Sequence, residues 1–487
     1  MDKLLGFLPD AEPTVPGVLT SVVNLIPFEN GMKGAPTPAT PSGVPVLAAE
    51  CRGAAVVTKL DSSRRIFAGT FTKLYELSSG SWVDQTRTVG GNYTSSGDDR
   101  WSICQFGNDT IASNNKDVIQ RSASSGAFAN ISGSPVAKIV FPVGSQVMAL
   151  NFNDGADKQD GWYCCASFDV TDWTPSVSTL CAKGQIVSVP GQITAGGRLG
   201  EYAIAYKEKA IFVGQFVGAP SVWDWTQVAG GGAGCVGQDA WCDLGAMGHF
   251  MVGAESFYVF DGSRPVPVGD GEVRQWFYDN SSPQFRYKTQ CVYDRQNNSV
   301  WIFYPKIDAT SPNAALVWHL VSKKWGHVDI SVEAALNYIE AGVTIDTMSS
   351  VETTIDDFVG YVFDSQVWLS GGRSLSLFNT SHQLQSMTGQ CVTSGMTTGD
   401  AGDDDLVTLL TGIRLRFMPG FKPTSASVQT YTKMEAGSAL STASTSTMYD
   451  GKFDVLDSAR WHRASFTFDG PHRVTGISAS LVPEGNV

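Results

Sequence analysis

Short apolar runs separated by Gly, Asp and charged turn residues recur along most of the chain, and the clearest pair lies between 201 and 269. Tyr202-Ala-Ile-Ala-Tyr206 turns through Lys207-Glu-Lys209 into Ala210-Ile-Phe-Val-Gly214 and ends on the aromatic edge Trp223-Asp-Trp225. Gly248-His-Phe-Met-Val-Gly253 turns through Ala254-Glu-Ser256 into Phe257-Tyr-Val-Phe260, and then through Asp261-Gly262 into Ser263-Arg-Pro-Val-Pro-Val268. Runs of this length bounded by turn residues predict consecutive antiparallel strands. The inner runs are apolar without alternation, which fits strands buried on both faces in sheets packed radially against their neighbours. Each copy reads as most of a propeller blade.

The same unit recurs at uneven intervals. Arg65-Ile-Phe-Ala-Gly-Thr70 pairs with Lys73-Leu-Tyr-Glu-Leu77, and Trp101-Ser-Ile-Cys-Gln-Phe106 leads to Thr110-Ile-Ala-Ser113. Ala137-Lys-Ile-Val-Phe141 continues into Gln146-Val-Met-Ala-Leu150, and Thr289-Gln-Cys-Val-Tyr293 into Ser299-Val-Trp-Ile-Phe-Tyr304. Six units can be traced, and seven if Phe358-Val-Gly-Tyr-Val-Phe363 with Val367-Trp-Leu369 forms another. The spacing is too irregular for a WD40 or kelch array and neither signature is present, so the expectation is a degenerate propeller with loop insertions. The pattern over 332–341 admits a short helix.

Both ends differ from the middle. Residues 1–50 are rich in Pro, Gly, Thr and Ala, with an apolar island from Val18 to Ile26, and read as an extended arm ordered by docking on its own propeller or on a neighbouring subunit. Beyond about 385 the runs alternate cleanly: Thr411-Gly-Ile-Arg-Leu-Arg-Phe417, Ala426-Ser-Val-Gln-Thr-Tyr-Thr432, Ala464-Ser-Phe-Thr-Phe468 and Val474 to Val482. Period-two alternation marks strands with one wet face. The predicted organisation is all-β: an arm over 1–50, a propeller of six to seven blades over 51–385, and a small β-sandwich-like domain over 386–487.

Composition narrows the functional classes. A hydrophobic fraction of 42% and 51 glycines suit a large, turn-rich β core. The net charge of −13, with no basic run, disfavours a protein that clasps nucleic acid. No apolar stretch reaches membrane-span length, and the segment from Met1 to Pro9 is unlike a signal peptide, so a cytosolic origin is expected. The nine Cys lack CxxC spacing and read as free, buried thiols, the adjacent Cys164 and Cys165 included.

The usual catalytic motifs are missing: no P-loop, no nucleophile elbow, no zinc-protease helix and no dinucleotide fingerprint. No catalytic, cofactor-binding or metal residue is assigned, and no enzyme activity is expected. The candidates weighed are few. His319 and His327 could meet across a turn as metal ligands, although two strand-end histidines are the commoner outcome. Asp400 with Asp403, Asp404 and Asp405 could hold Ca²⁺ but lacks the Gly and Glu of a known loop, and reads as a solvated linker. A propeller glycosidase needs paired carboxylates in its funnel, for which Glu201, Glu255 and Asp261 are candidates, all in turns. Trp173, Trp223 and Trp225 could stack on sugars, though blade packing uses such residues more often.

Several stretches carry a family resemblance. The run Pro16-Gly-Val-Leu-Thr-Ser-Val-Val-Asn-Leu-Ile-Pro27 leading to Gly34-Ala-Pro36, Cys51-Arg-Gly-Ala-Ala55 with Thr58 to Thr70, Asp172-Trp-Thr-Pro175, Phe257 to Pro265, and Trp325 to Ala335 resemble virion proteins of short-tailed phages (podoviruses) and related prophages. The resemblance covers nearly the whole chain, through structural rather than catalytic motifs. It implies the role of a tail hub or nozzle, the class of the packaged-DNA stabilisation proteins. Such a protein forms a homo-oligomeric ring, usually a hexamer, below the portal and head–tail adaptor, and meets tail fibre or needle proteins. Double-stranded DNA passes through its lumen without sequence-specific contacts. It implies a place in the virion tail, assembled in the host bacterial cytoplasm. The competing expectations are a propeller glycoside hydrolase or depolymerase, and a glycan-binding receptor protein at the tail tip.

Overall fold

A computed structural model describes residues 2–41, 43–230, 232–339 and 373–486. The fold is an all-β propeller joined to a two-sheet sandwich. Six four-stranded antiparallel sheets stand as separate sheets, and a seventh four-stranded unit, from Gln290–Asp294 to Trp325–Val328, heads a ten-stranded sheet. The innermost strands of the seven units are Ala54–Thr58, Ser102–Phe106, Val136–Val143, Ile193–Leu199, Trp241–Asp243, Gln290–Asp294 and Ala334–Ile339, and the last packs against the first to close the ring. The strands without sequence alternation are the buried ones: all of Ser299–Tyr304 and all of Gln146–Asn153 except its last residue. Where adjacent units approach most closely a side chain is excluded, since a Cβ on Gly197 would lie 2.1 Å from the Trp241 indole.

The sequence places a boundary near 50 and another near 386, and strand pairing crosses both. Residues 2–39 form six strands shared among three sheets. Gly6–Phe7 and Val18–Val23 lie in one sandwich sheet, next to Thr393–Thr398. Leu25–Phe28 and Gly31–Gly34 form a hairpin that meets Trp325–Val328 of the propeller on one side and Arg473–Val474 of the sandwich on the other. Thr37–Ala39 supplies the outermost strand of the last propeller unit by pairing with Leu384–Gly389, the strand within which position 386 falls. Of the two docking surfaces open to this segment, it occupies its own chain's. The segment 332–341, where a helix was admissible, contains the innermost strand Ala334–Ile339, and the one α-helix among the described residues is Arg274–Asn280. The possible unit at 358–369 lies outside the described residues.

All four alternating runs at the C-terminal end are strands: Leu406–Phe417, Ser425–Lys433, Trp461–Asp469 and Arg473–Asn486. Two further strands, Ser441–Thr447 and Lys452–Ala459, complete the sheets. Leu410, Ile413, Leu415 and Phe453 face Val428, Phe466 and Phe468 across the sandwich, and this core is continuous through Met32, Leu25, Val22, Leu19 and Phe7 with Phe250, Phe257 and Trp325 of the propeller. Those N-terminal side chains with Leu4 are buried to within 4%. At ~1.5–3 kcal/mol per fully buried side chain, their docking is worth on the order of 10 kcal/mol, as much as the whole net stability of a typical domain.

Gly326 sits at the join. A Cβ there would lie 2.5 Å from the Leu25 carbonyl oxygen and 2.8 Å from the Ile26 Cα, backbone atoms that cannot swing away. Gly326→Ala should therefore lower stability by about 1–3 kcal/mol. Urea denaturation followed by tryptophan fluorescence measures this loss, and an unchanged midpoint would show that the two modules are not locked together at this point.

Candidate functional site: the central funnel

A cavity of about 610 Å³ opens at the N-terminal ends of the innermost strands, lined by segments leading into six of the seven and by Lys138 from within Val136–Val143. Its walls carry Arg52, Arg100, Lys138 and Lys288 against Glu50, Asp98, Asp99, Asp239 and Glu333. Arg52, Arg100, Asp239 and Lys288 each stand two residues before the innermost strand of their unit, and Glu333 stands one before. The chain thus delivers a charged side chain to the funnel as it enters each of these units.

Two ion pairs among these charges reach across the ring. Arg100, from the second unit, donates through Nε to the Asp239 carboxylate of the fifth and through Nη1 to the Glu333 carbonyl of the seventh at 3.1 Å. Lys288 of the sixth unit lies 2.8 Å from Asp98 of the second, which also accepts the Tyr287 hydroxyl. Glu333 is a hub. Its carboxylate accepts the Cys51 N–H at 2.9 Å and lies 2.7 Å from His382 Nδ1, while its carbonyl accepts Gln290 at 2.9 Å. Asp99 accepts Asn115 at 2.9 Å, and Glu50 pairs with Arg52 at 2.8 Å. Lys138 differs, because its amine has no hydrogen-bond partner among the described residues. Burial lowers its pKa, with Asp239 and Asp99 opposing.

Burial raises the Glu333 carboxyl above its ordinary value, only partly offset by the Cys51 N–H and His382. Burial pushes Asp98 the same way, but the bonds from Lys288 and Tyr287 outweigh it and leave that carboxyl below the usual range. Chemically, the arrangement braces. Hydrolysis of a glycoside needs an acid that is free to donate and a carboxylate that is free to attack or to activate water. The five funnel carboxylates are each engaged by a cation, an imidazole, an amide or a backbone N–H.

None of the carboxylates singled out in the sequence lines this funnel. Glu201 is exposed in a turn, Glu255 lies 3.5 Å from Lys209 in another, and Asp261 accepts the N–H and hydroxyl of Ser263. His319 and His327 are not neighbours. Leu316 pairs with His327, so His319 is three residues along and on the other face. His319 binds Ser322 at 2.9 Å, and His327 lies 3.2 Å from the Tyr304 hydroxyl. Asp400 is buried between Lys433 and Arg463, at 2.8 and 2.7 Å, while Asp403, Asp404 and Asp405 are exposed. No cluster of three or more metal-ligating side chains occurs among the described residues. Trp173 and Trp223 are buried packing residues of two separate clusters, and Trp225 packs against the one that holds Trp223.

The nine cysteines are free, the adjacent Cys164 and Cys165 included. Burial pushes the thiols of Cys51, Cys104, Cys164, Cys165, Cys181 and Cys235 up to about 12.

No protein-family model matches the chain, and no curated protein matches it in sequence. Among solved structures it is similar to the computationally designed protein Ika8 (6% identity, TM-score 0.38, 70% of this chain and 97% of that one). It is also similar to YCF48 from Cyanidioschyzon merolae (10% identity, TM-score 0.37, 73% and 97%) and to Citrobacter koseri AztD (10% identity, TM-score 0.31, 57% and 86%). At identities and TM-scores this low, the likenesses say nothing of what the chain does.

Two outcomes follow from this chemistry. Because the folded Asp98 carboxyl titrates below its unfolded value near ~4, its pairing supports the fold above that pH and is lost as the pH falls through the depressed value. Urea midpoints should drop on acidification below about pH 4. Asp98→Asn should flatten that part of the profile while changing stability at pH 7 by no more than about 1 kcal/mol, since the carboxylate is 44% exposed. Second, thiols this buried present almost no thiolate at neutral pH, so iodoacetamide should label the native protein negligibly and all nine cysteines in guanidinium, counted by intact mass.

Proposed function

We propose that this chain is a structural subunit of a phage virion, part of the tail nozzle or hub ring below the portal and adaptor, and that it has no catalytic role. The observation that carries this reading is the closed state of both places where a β-propeller could be soft or reactive. The funnel is crossed by ion pairs that tie opposite units together, and the chain termini are woven into one body with the sandwich. A part that must withstand the pressure of packaged DNA gains from that rigidity.

The same bracing bears on where DNA would run. Side chains span the propeller's own axis, so in this reading the conduit is the lumen of the ring of subunits, and the propellers form its wall. The net charge of −13 suits such a wall, because each cation bound to phosphate would add friction as DNA slides past. The location is the virion tail, after assembly in the host bacterial cytoplasm, with neighbouring copies, the adaptor or portal ring, and tail fibre or needle proteins as partners.

The mass of the assembled species decides the matter. Native mass spectrometry and negative-stain electron microscopy of the purified chain, alone and with adaptor rings, are expected to show closed rings of about six subunits. Monomers under every condition would overturn the proposal. Trimers would favour a receptor protein at the tail tip, and glycan cleavage lost on replacing Asp98 or Asp239 would favour a hydrolase.

A further inference from the structure

Strand Arg473–Asn486 pairs along its length with Leu406–Phe417. On its other side it meets only Lys33 and Met32, at Arg473 and Val474, and then Asp2 and Lys3, at Ile477 and Gly476. From 478 to 484 that side has no backbone partner among the described residues. Beneath this open edge a cleft of about 300 Å³ separates the two sheets of the sandwich. Ile477, Ala479 and Leu481 face the cleft from the edge strand, Ile413 from its neighbour, and Trp461 and Ala464 from the opposite sheet. Positions 477, 479 and 481 form one face of a strand, so the cleft is where the inward side chains of one more strand would lie.

Charge marks both ends of the edge. Asp2 stands at its start, and Glu484 with Asp403 and Asp405 at its finish, because Leu406 pairs with Asn486. These four carboxylates are exposed, and none belongs to an ion pair among the described residues. Of the nearby cations, Arg463 and Lys433 are committed to Asp400, while Lys3 and Arg460 form no ion pair among the described residues, so the acids outnumber the free cations along the edge.

We propose that this edge and cleft bind an extended segment of a partner protein. The segment runs antiparallel to 478–484, as Asp2–Lys3 already does, places apolar side chains at alternate positions into the cleft, and carries lysine or arginine at both ends. Main-chain hydrogen bonds supply the common affinity, while the cleft and the acidic ends select the sequence. This holds whether or not the chain belongs to a tail ring.

The test uses the full chain and a fluorescein-labelled peptide, Lys-Lys-Val-Thr-Ile-Thr-Val-Lys-Lys. One control has the same residues shuffled to break the alternation, and another has Glu in place of Lys. The alternating basic peptide should bind at least about 10-fold more tightly than either control. Amide hydrogen exchange should gain protection over 478–484 alone. Ala479→Lys, at an exposed position, should weaken binding about 10-fold with an unchanged thermal melt. Equal binding of the three peptides, no saturable binding, or protection elsewhere would overturn the proposal. Self-association of the unliganded chain that Ala479→Lys abolishes would overturn it too, because the edge would then be an interface between copies.

Discussion

The structure depends on one docking event, the burial of the N-terminal strands between propeller and sandwich. Neither module is complete without them. The last propeller unit lacks its outer strand until Thr37–Ala39 arrives, and the sandwich lacks the neighbour of Thr393–Thr398 until Val18–Val23 does. The hairpin of Leu25–Phe28 and Gly31–Gly34 then makes one sheet of two. Because Leu19, Leu25 and Met32 are fully enclosed in a core shared by both modules, loosening one module exposes apolar surface in the other. These pairings join residues more than 300 positions apart in sequence, so they carry a large loop-closure entropy.

The funnel repeats this logic with charge. A ring of seven sheets is held by packing between neighbours, which among the described residues leaves units on opposite sides without direct contact except through the funnel. Arg100 to Asp239 and Lys288 to Asp98 connect units on opposite sides, and Glu333 accepts from Cys51, Gln290 and Arg100 and lies against His382. Partly solvated pairs contribute little one at a time. In a network whose members fix each other's geometry they contribute more, and they specify a single arrangement of the ring.

What could be read from the sequence follows from how local each signal is. The consecutive strands of a blade and the alternating strands of the sandwich are set by neighbours a few residues away, and Tyr202 to Gly214 and Thr411 to Phe417 showed them plainly. The N-terminal segment reads as an arm that orders by docking, and its own chain supplies the surface, but its division into strands is not legible because the apolar island at Val18 to Ile26 acquires meaning only from partners at 327 and 395–398. The funnel was missed for a related reason. Turn carboxylates such as Glu201 and Asp261 draw attention as isolated acids, yet turns at blade rims face water. The informative signal was positional: a charged residue two places before the first strand of a unit, at Arg52, Arg100, Asp239 and Lys288, which emerges only after the units are aligned on their innermost strands.

Burial sets the titration of most interior groups. Catalytic acids and bases are tuned so that a charge changes hands near the working pH. The buried phenols, thiols and imidazoles of this chain shift toward their uncharged forms. Burial raises the phenols of Tyr93, Tyr206 and Tyr304 and the thiols of the buried cysteines, and lowers the imidazoles of His249, His319, His462 and His472, with His327 brought to about 4. Each shift stabilises the uncharged form at neutral pH, as a dry interior requires. Buried charges such as Asp400 are paired and the funnel carboxylates are engaged, whereas Asp403, Asp405 and the strand edge after Ile477 are exposed and without ion pair or strand partner among the described residues. An open strand edge flanked by exposed acids offers backbone hydrogen bonds and charge together, the two means by which an extended segment is recognised.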